Sequence, residues 1–416
     1  MNYFPLYGIE FNLAVGCKLD CRFCPQEIFL ENYFSHGTHP PTMLSFKNFE
    51  KMLSRLEPGR CVSFCAHSEP FSNPECIPMI LHAYEKGYIL SICTTGTSVA
   101  KEELAQIKHI PFIAFYLHVP DKEMNSKFVI NDSYLEVLEY IVDNFTISML
   151  AHHGTCHPAV KEIVSKVDTP LVVNTDTLHD RSGHISHPWV KPTRWEEKIV
   201  CLMEPTRTPL HTLRSQYPIA HPDGRVTLCC NDYGMEHVLG NFLTQSWEEM
   251  IENDPLRRIE DGCDVSRYDL CRKCSGAVAA RKLPAMRLKK AIFEGDTELR
   301  ARDRDGILPK LQSAKKIAIV GLGHLFREQY FMFLWNEAFA AFFFVDNNPN
   351  LWGQPLPNGK SIRSVETLRN VPGTLAVTFT RNDVELASQL AAMGIPHINI
   401  FEILSLFDSS SMRSGQ

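Results

Sequence analysis

Short apolar runs at 7–15, 61–66, 88–93, 111–118, 145–150 and 170–174 alternate with amphipathic stretches such as Phe46-Lys-Asn-Phe-Glu-Lys-Met-Leu and Tyr134-Leu-Glu-Val-Leu-Glu-Tyr-Ile. Runs of that length read as buried strands, and the stretches between them carry the helical period. Repeated strand-helix units predict a parallel sheet with right-handed crossovers. In such folds the loops after the strands carry the site.

The pattern changes over residues 196–280. Asp223-Gly224 between short strands is a hairpin signal, and Cys271-x-x-Cys274 stands far downstream of it. A third unit is expected at 315–408. Lys316–Val320 runs into Gly321-Leu-Gly323, and Ala340–Val345 ends in Asp346. Strand, glycine turn, helix, strand and terminal acid make a Rossmann-like half, in which Gly321 and Gly323 would admit a phosphate and Asp346 would face a ribose. The third glycine of that fingerprint is Phe326 here. Boundaries are therefore expected at 1–195, 196–280, a basic helical linker at 281–314, 315–408 and a flexible tail at 409–416.

A chain of 416 residues with 44% hydrophobic content can fill several cores. It shows no run of eighteen apolar residues and no basic-then-apolar leader, so a cytoplasmic protein without membrane segments is expected. A net charge of −6 makes no case for nucleic acid as a bulk partner. Residues 281–316 hold eleven Lys/Arg and five Asp/Glu, which a solvated linker helix accommodates. Fourteen cysteines without an export signal point to metal ligation and reduced thiols.

Three of those cysteines form Cys17-x3-Cys21-x2-Cys24 directly after the first strand. A structural zinc or a closed [4Fe–4S] cluster takes four protein ligands, whereas three thiolates leave one iron open to a small molecule. The alternative is a zinc loop that borrows His36 or His39.

The loop resembles the radical S-adenosylmethionine (SAM) superfamily, and the resemblance continues downstream. Phe23 stands where that family has an aromatic near the adenine. His67-Ser68-Glu69-Pro70 stands for its Gly-Gly-Glu-Pro, Thr94-Thr95-Gly96 for its Thr-Asn-Gly, and the Arg181 segment for its Arg-Ala-Gly-Asn. The resemblance implies a partial (β/α)6 barrel in which Cys17, Cys21 and Cys24 hold a [4Fe–4S] cluster with SAM. Glu69 would then accept the SAM ammonium, and Thr94, Thr95 and Arg181 would contact its ribose or carboxylate. Residues 196–280 resemble the SPASM/twitch extension, which implies a second, auxiliary [4Fe–4S] cluster on Cys201, Cys229, Cys271 and Cys274. His221, Cys230, Cys263 or an open coordination position remains as an alternative fourth ligand, and zinc as an alternative metal. Residues 315–408 resemble small domains attached to sugar-modifying proteins. A nucleotide or nucleotide-sugar ligand and a docking role are both open there.

Cys65, Cys93 and Cys156 lie at or just after strand ends, where free thiols are commonly core residues. Cys156, from its loop position, is the candidate hydrogen-atom donor. His152, His153 and His157 form either a hydrogen-bonded loop cluster or a substrate contact. The expected reaction is radical oxidation of a carbinol of a sugar, cyclitol or nucleotide-sugar, as in twitch-type aminoglycoside dehydrogenases. Epimerisation or dehydration of a sugar is the second expectation. Peptide modification is disfavoured because little chain precedes the first strand, and a SAM-binding regulator because the three-cysteine loop is intact. A flavodoxin or ferredoxin is the expected reductant.

Overall fold

The computed structural model describes residues 8–35, 39–167, 172–175, 180–185, 190, 192–201, 218–252, 266–279, 303, 306–322, 343–354, 360–380 and 384–405. Six strands, β1 (Gly8–Phe11), β2 (Cys61–Phe64), β3 (Ile89–Thr94), β4 (Ala114–His118), β5 (Met149–His153) and β6 (Val172–Thr175), pair in parallel, each with the next. All six fall within or beside the expected apolar runs. Helices α1 (Gln26–Ser35), α2 (Phe46–Leu53), α3 (Cys76–Glu85), α4 (Lys101–Ile107), α5 (Asp132–Asn144) and α6 (Pro158–Val164) connect them. Ser45 and Asn131 start α2 and α5 by accepting from Asn48 N and Tyr134 N.

The two faces of this sheet differ in chemistry. Val62, Phe64, Leu90, Ile92, Phe115, Leu117 and Leu150 pack with Phe49, Met52, Ile80, Leu104, Leu138 and Ile141 of the helices. Each such side chain contributes about 1.5–3 kcal/mol by leaving water. The alternate positions Glu10, Ser63, Ser91, Cys93, Tyr116, His118 and Met149 line a cavity instead. Closed barrels fill their interior with bulky branched side chains. Here small and polar residues leave the interior open.

The same sheet continues beyond β1. After β7 (Ile199–Cys201), strands β8 (Ile219–Ala220), β9 (Arg225–Thr227) and β10 (Val238–Asn241) extend it in the order β10-β9-β8-β1. The segment expected as a separate small unit thus shares a sheet with the barrel. Arg225 fixes the junction: its guanidinium bonds Asp223 at 2.6 Å and the Tyr33 carbonyl at 2.7 Å, and lies over the Tyr33 ring. Helices α7 (Trp247–Glu252) and α8 (Asp269–Arg272) follow, and β11 (Ala277–Ala279) pairs antiparallel with β7, Ala277 opposite Cys201.

The C-terminal unit begins with α9 (Ile307–Ser313). Strands β12 (Lys316–Val320), β13 (Phe343–Asp346), β14 (Arg363–Ser364), β15 (Thr374–Thr378) and β16 (His397–Asn399) form a parallel sheet in the order β14-β13-β12-β15-β16. That is the 3-2-1-4-5 order of doubly wound sheets. Helices α10 (Val384–Ala392) and α11 (Ile400–Ser405) complete it. Asp346, expected to face a ribose, is engaged by backbone amides. Its carboxylate accepts from Leu322 N at 2.6 Å and Asn348 N at 2.7 Å, so both oxygens tie the glycine turn to the end of β13. Gly321 holds φ +85°, as a glycine turn requires, while Gly323 and most of the linker lie outside the described residues.

Gly224 sits at φ +87°, and a Cβ there would come within 2.4 Å of Asn241 Oδ1 and 2.7 Å of Leu243 Cγ. Gly59, at φ +84°, has open space around it. The left-handed conformation alone costs a residue with Cβ about 1–2 kcal/mol. Gly224→Ala should therefore lower stability clearly more than Gly59→Ala in chemical unfolding. Equal losses would mean that the hairpin tolerates the clash.

Candidate functional site

The Cys17 loop leaves β1 and turns across the C-terminal strand ends. Cys17, Cys21, Phe23 and Cys24 border a cavity of about 340 Å3 with His67, Glu69, Thr94, Thr95, His118, Arg181, Cys230 and Tyr233. Burial holds the Cys17 thiol above its usual range and pushes that of Cys21 to about 12. The nearby Cys24 adds to both shifts, Cys17 adds to that of Cys21, and Glu69 adds to that of Cys17. Bound iron removes those protons, because thiolate is the ligand form.

Glu69 is 5% exposed and carries the site's densest hydrogen bonding. Oε1 accepts from Thr94 Oγ1 at 2.6 Å and Phe71 N at 3.3 Å; Oε2 accepts from Thr95 N at 2.7 Å and Thr95 Oγ1 at 2.6 Å. Burial still raises its pKa, with these donors opposing the shift. The threonines expected to touch SAM directly give their hydroxyls to Glu69. Their local effect is to orient the carboxylate.

Phe23 packs on the His153 ring at 3.8 Å between centroids, and His118 stands 6.5 Å from it. Burial pushes His118 down to about 4, so its imidazole is neutral near pH 7. Of the other clustered histidines, His157 caps α6 by accepting from Ala159 N. Arg181, Ser182 and Gly183 take φ +47°, +58° and +83° in succession, and Ala66 takes +82°. Non-glycine residues rarely hold such angles, and strained positions concentrate at functional sites. The turn brings Arg181 into the cavity, where Tyr233, Cys230, Cys24 and Cys65 lie in its field.

Three expectations are displaced. Cys156 is not part of the cavity wall: it bridges to Asp121, and its Sγ lies 3.9 Å from the His157 carbonyl. Cys65 and Cys93 do line the cavity and hydrogen-bond each other, because Phe64 opposite Ile92 sets them side by side. His221 is not placed as an auxiliary ligand. It is fully buried under β1, with Nε2 3.0 Å from Thr227 Oγ1 and Nδ1 3.4 Å from Asn12 Nδ2. Cys230 likewise turns into the catalytic cavity rather than toward the downstream cysteines.

Those downstream cysteines gather beside the barrel. Cys229, Cys271 and Cys274 are buried in one core, and Cys274 Sγ accepts from Asn231 Nδ2 and Gly276 N, each at 3.3 Å. The pairing of Cys201 with Ala277 brings the β7 backbone to the same strand end. Cys263 lies outside the described residues. Among the described residues no three His, Cys, Asp or Glu side chains converge closely enough for a single ion.

The family model of the SPASM iron-sulfur cluster-binding domain matches residues 214–275, the segment that contains Cys229, Cys271 and Cys274. That segment is similar to the SPASM family, which binds an iron-sulfur cluster. Solved structures similar to this chain include BtrN in complex with AdoMet and 2-DOIA, at 16% identity over 65% of this chain and 93% of that one, TM-score 0.43. Native anSMEcpe with bound AdoMet matches at 13% identity over 60% and 80%, TM-score 0.39. Streptococcus suis SuiB bound to precursor peptide SuiA matches at 12% identity over 61% and 65%, TM-score 0.41. A search of the curated proteins finds no match.

Sequence reasoning missed Gln26, His67, Cys230 and Tyr233 as parts of the site. The one signal for them was His67-Ser68 where the radical SAM pattern has two glycines. Anaerobically reconstituted protein should hold about eight iron, and Cys17→Ala/Cys21→Ala/Cys24→Ala about four, by iron and sulfide analysis. Zinc in the second position, or an iron-free triple variant, would overturn the two-cluster assignment.

Proposed function

We propose that this radical SAM protein is an oxidoreductase that takes hydrogen from a carbinol carbon of a sugar or cyclitol and yields the carbonyl. The observation that carries this reading is the row of polar side chains set into the otherwise largely apolar inner face of the barrel, from Glu10, Ser63 and Ser91 through Tyr116 and His118 to the cysteine loop. A polyol offers hydroxyls to match such a wall, and an apolar ligand would leave the wall's polar groups desolvated and unpaired.

Bound at Cys17, Cys21 and Cys24, a [4Fe–4S] cluster supplies the electron that cleaves SAM to methionine and a 5'-deoxyadenosyl radical. The chain's own residues do the positioning. Glu69, held by Thr94 and Thr95, receives the ammonium of SAM, and Phe23 packs against its adenine. Arg181 offers a charge to its carboxylate. The apolar outer core and the helices behind it keep water from the radical. His118, a neutral imidazole in the cavity wall, can accept the hydroxyl proton as the carbonyl forms. Cys229, Cys271, Cys274 and Cys201 would hold the auxiliary cluster, whose chemistry there would be to accept the second electron of the oxidation.

The Asp346 geometry removes the main reason for placing a nucleotide on the C-terminal sheet. A docking role there fits better, and the substrate class narrows to free sugars, cyclitols and their amino derivatives. A flavodoxin or ferredoxin supplies electrons in a cytoplasmic setting. No helix of the described residues is long and apolar enough to cross a membrane. A second reading, epimerisation, is favoured by Cys65 and Cys93, since thiols in the cavity wall could return a hydrogen atom to a product radical.

Anaerobic incubation with SAM, reductant and a panel of polyols should give 5'-deoxyadenosine and a product lighter by two hydrogen atoms. A product of unchanged mass in H2O that gains one mass unit in D2O, with the deuterium at carbon, would establish epimerisation instead. A modified peptide, with polyols inert, would end both readings. Separately, each charge-assisted hydrogen bond to Glu69 is worth about 1.5–3 kcal/mol. Glu69→Gln should therefore weaken SAM binding about tenfold or more by calorimetry, with iron content intact. Unchanged affinity would remove Glu69 from the SAM site.

A further inference from the structure

Tyr233 belongs to the SPASM segment yet touches the catalytic loop. Its ring is 4% exposed and lies 4.1 Å from that of His67, at an interplanar angle of 21°. Phe29 braces His67 edge-on at 4.7 Å between centroids. Stacked in this way, the phenol oxygen stands 3.6 Å from Cys24 Sγ. Gln26, at the start of α1, approaches the same sulfur: its Nε2 lies 3.4 Å from Cys24 Sγ and also donates to the His67 carbonyl.

A thiolate bound to iron has no proton to give, so in the holoprotein both neighbours must donate to it. We propose that Tyr233, with Gln26, is a positioning residue that donates a hydrogen bond to Cys24 Sγ and thereby raises the reduction potential of the catalytic cluster. Hydrogen bonds to cluster sulfurs stabilise the more negative, reduced state, which makes them a principal control on such potentials.

The arrangement gives the departure at His67 a purpose. Glycine at that position would leave the Tyr233 ring without its platform. It also ties the two metal sites mechanically, because Tyr233 follows Cys229, an auxiliary ligand, by four residues. Correct seating of the SPASM segment then sets how easily the catalytic cluster is reduced. The inference rests on the cluster at Cys17, Cys21 and Cys24 and is independent of the substrate.

The test is a redox titration of the holoprotein followed by electron paramagnetic resonance, with the catalytic cluster recognised as the one whose signal changes when SAM is added. Tyr233→Phe should shift its midpoint to a more negative potential, leave the auxiliary midpoint in place and leave iron content unchanged. Gln26→Met should act in the same direction, and the double variant should shift further. An unchanged midpoint in Tyr233→Phe with both clusters present would overturn the proposal. Should that variant lose iron, 3-fluorotyrosine at position 233 keeps the ring and strengthens the donor, so the midpoint should move positive. No movement there would equally overturn the proposal.

Discussion

A carboxylate removed from water must have donors pointed at it, and Glu69 organises the site by that requirement. Its two oxygens draw in Thr94, the hydroxyl and amide of Thr95 and the amide of Phe71, so the end of β2 is tied to the end of β3. The Glu69 backbone also hydrogen-bonds Cys17, which links the cysteine loop to the same residue. Removing one donor would leave a buried charge short of a partner, at about 1–3 kcal/mol. Binding, metal ligation and the geometry of two strand ends thus depend on one side chain.

The SPASM segment completes what the barrel leaves open. A six-stranded partial barrel ends in an exposed edge at β1, and β8 covers that edge by pairing Ile219 and Ala220 with Glu10 and Phe11. Arg225 and Tyr33 bind the following hairpin to α1. That docking delivers Cys230 and Tyr233 into the catalytic cavity, four residues apart from Cys229 at most. The SPASM-like segment is therefore part of the wall of the cavity that the cysteine loop borders.

Much of this was legible in the chain. The strands were readable because a strand buried on its outer face needs the apolar positions seen at Val62, Phe64, Leu90 and Ile92, and the catalytic thiols because their spacing is local. Contacts made across the fold were not. Nothing near Thr94 in sequence says that its hydroxyl will be used by Glu69, and nothing near Asp346 says that Leu322 N and Asn348 N will occupy its carboxylate. His221 was readable as a metal ligand from its neighbours, but β8 carries it under β1 to Asn12. Cys156 looked like a site residue from its loop, whereas strand register put Cys65 and Cys93 there. Each miss concerns a partner that only the tertiary fold supplies.

The central claim is that three thiolates hold a cluster with one iron left for SAM, beside the carboxylate of Glu69. Electron-nuclear double resonance on the reduced holoprotein, with SAM labelled with nitrogen-15 at the amine and oxygen-17 at the carboxylate, tests it most directly. Both nuclei should couple to the cluster, and both couplings should disappear in Cys17→Ala/Cys21→Ala/Cys24→Ala. Absence of either coupling in the wild type, with both clusters present and SAM bound, would contradict it.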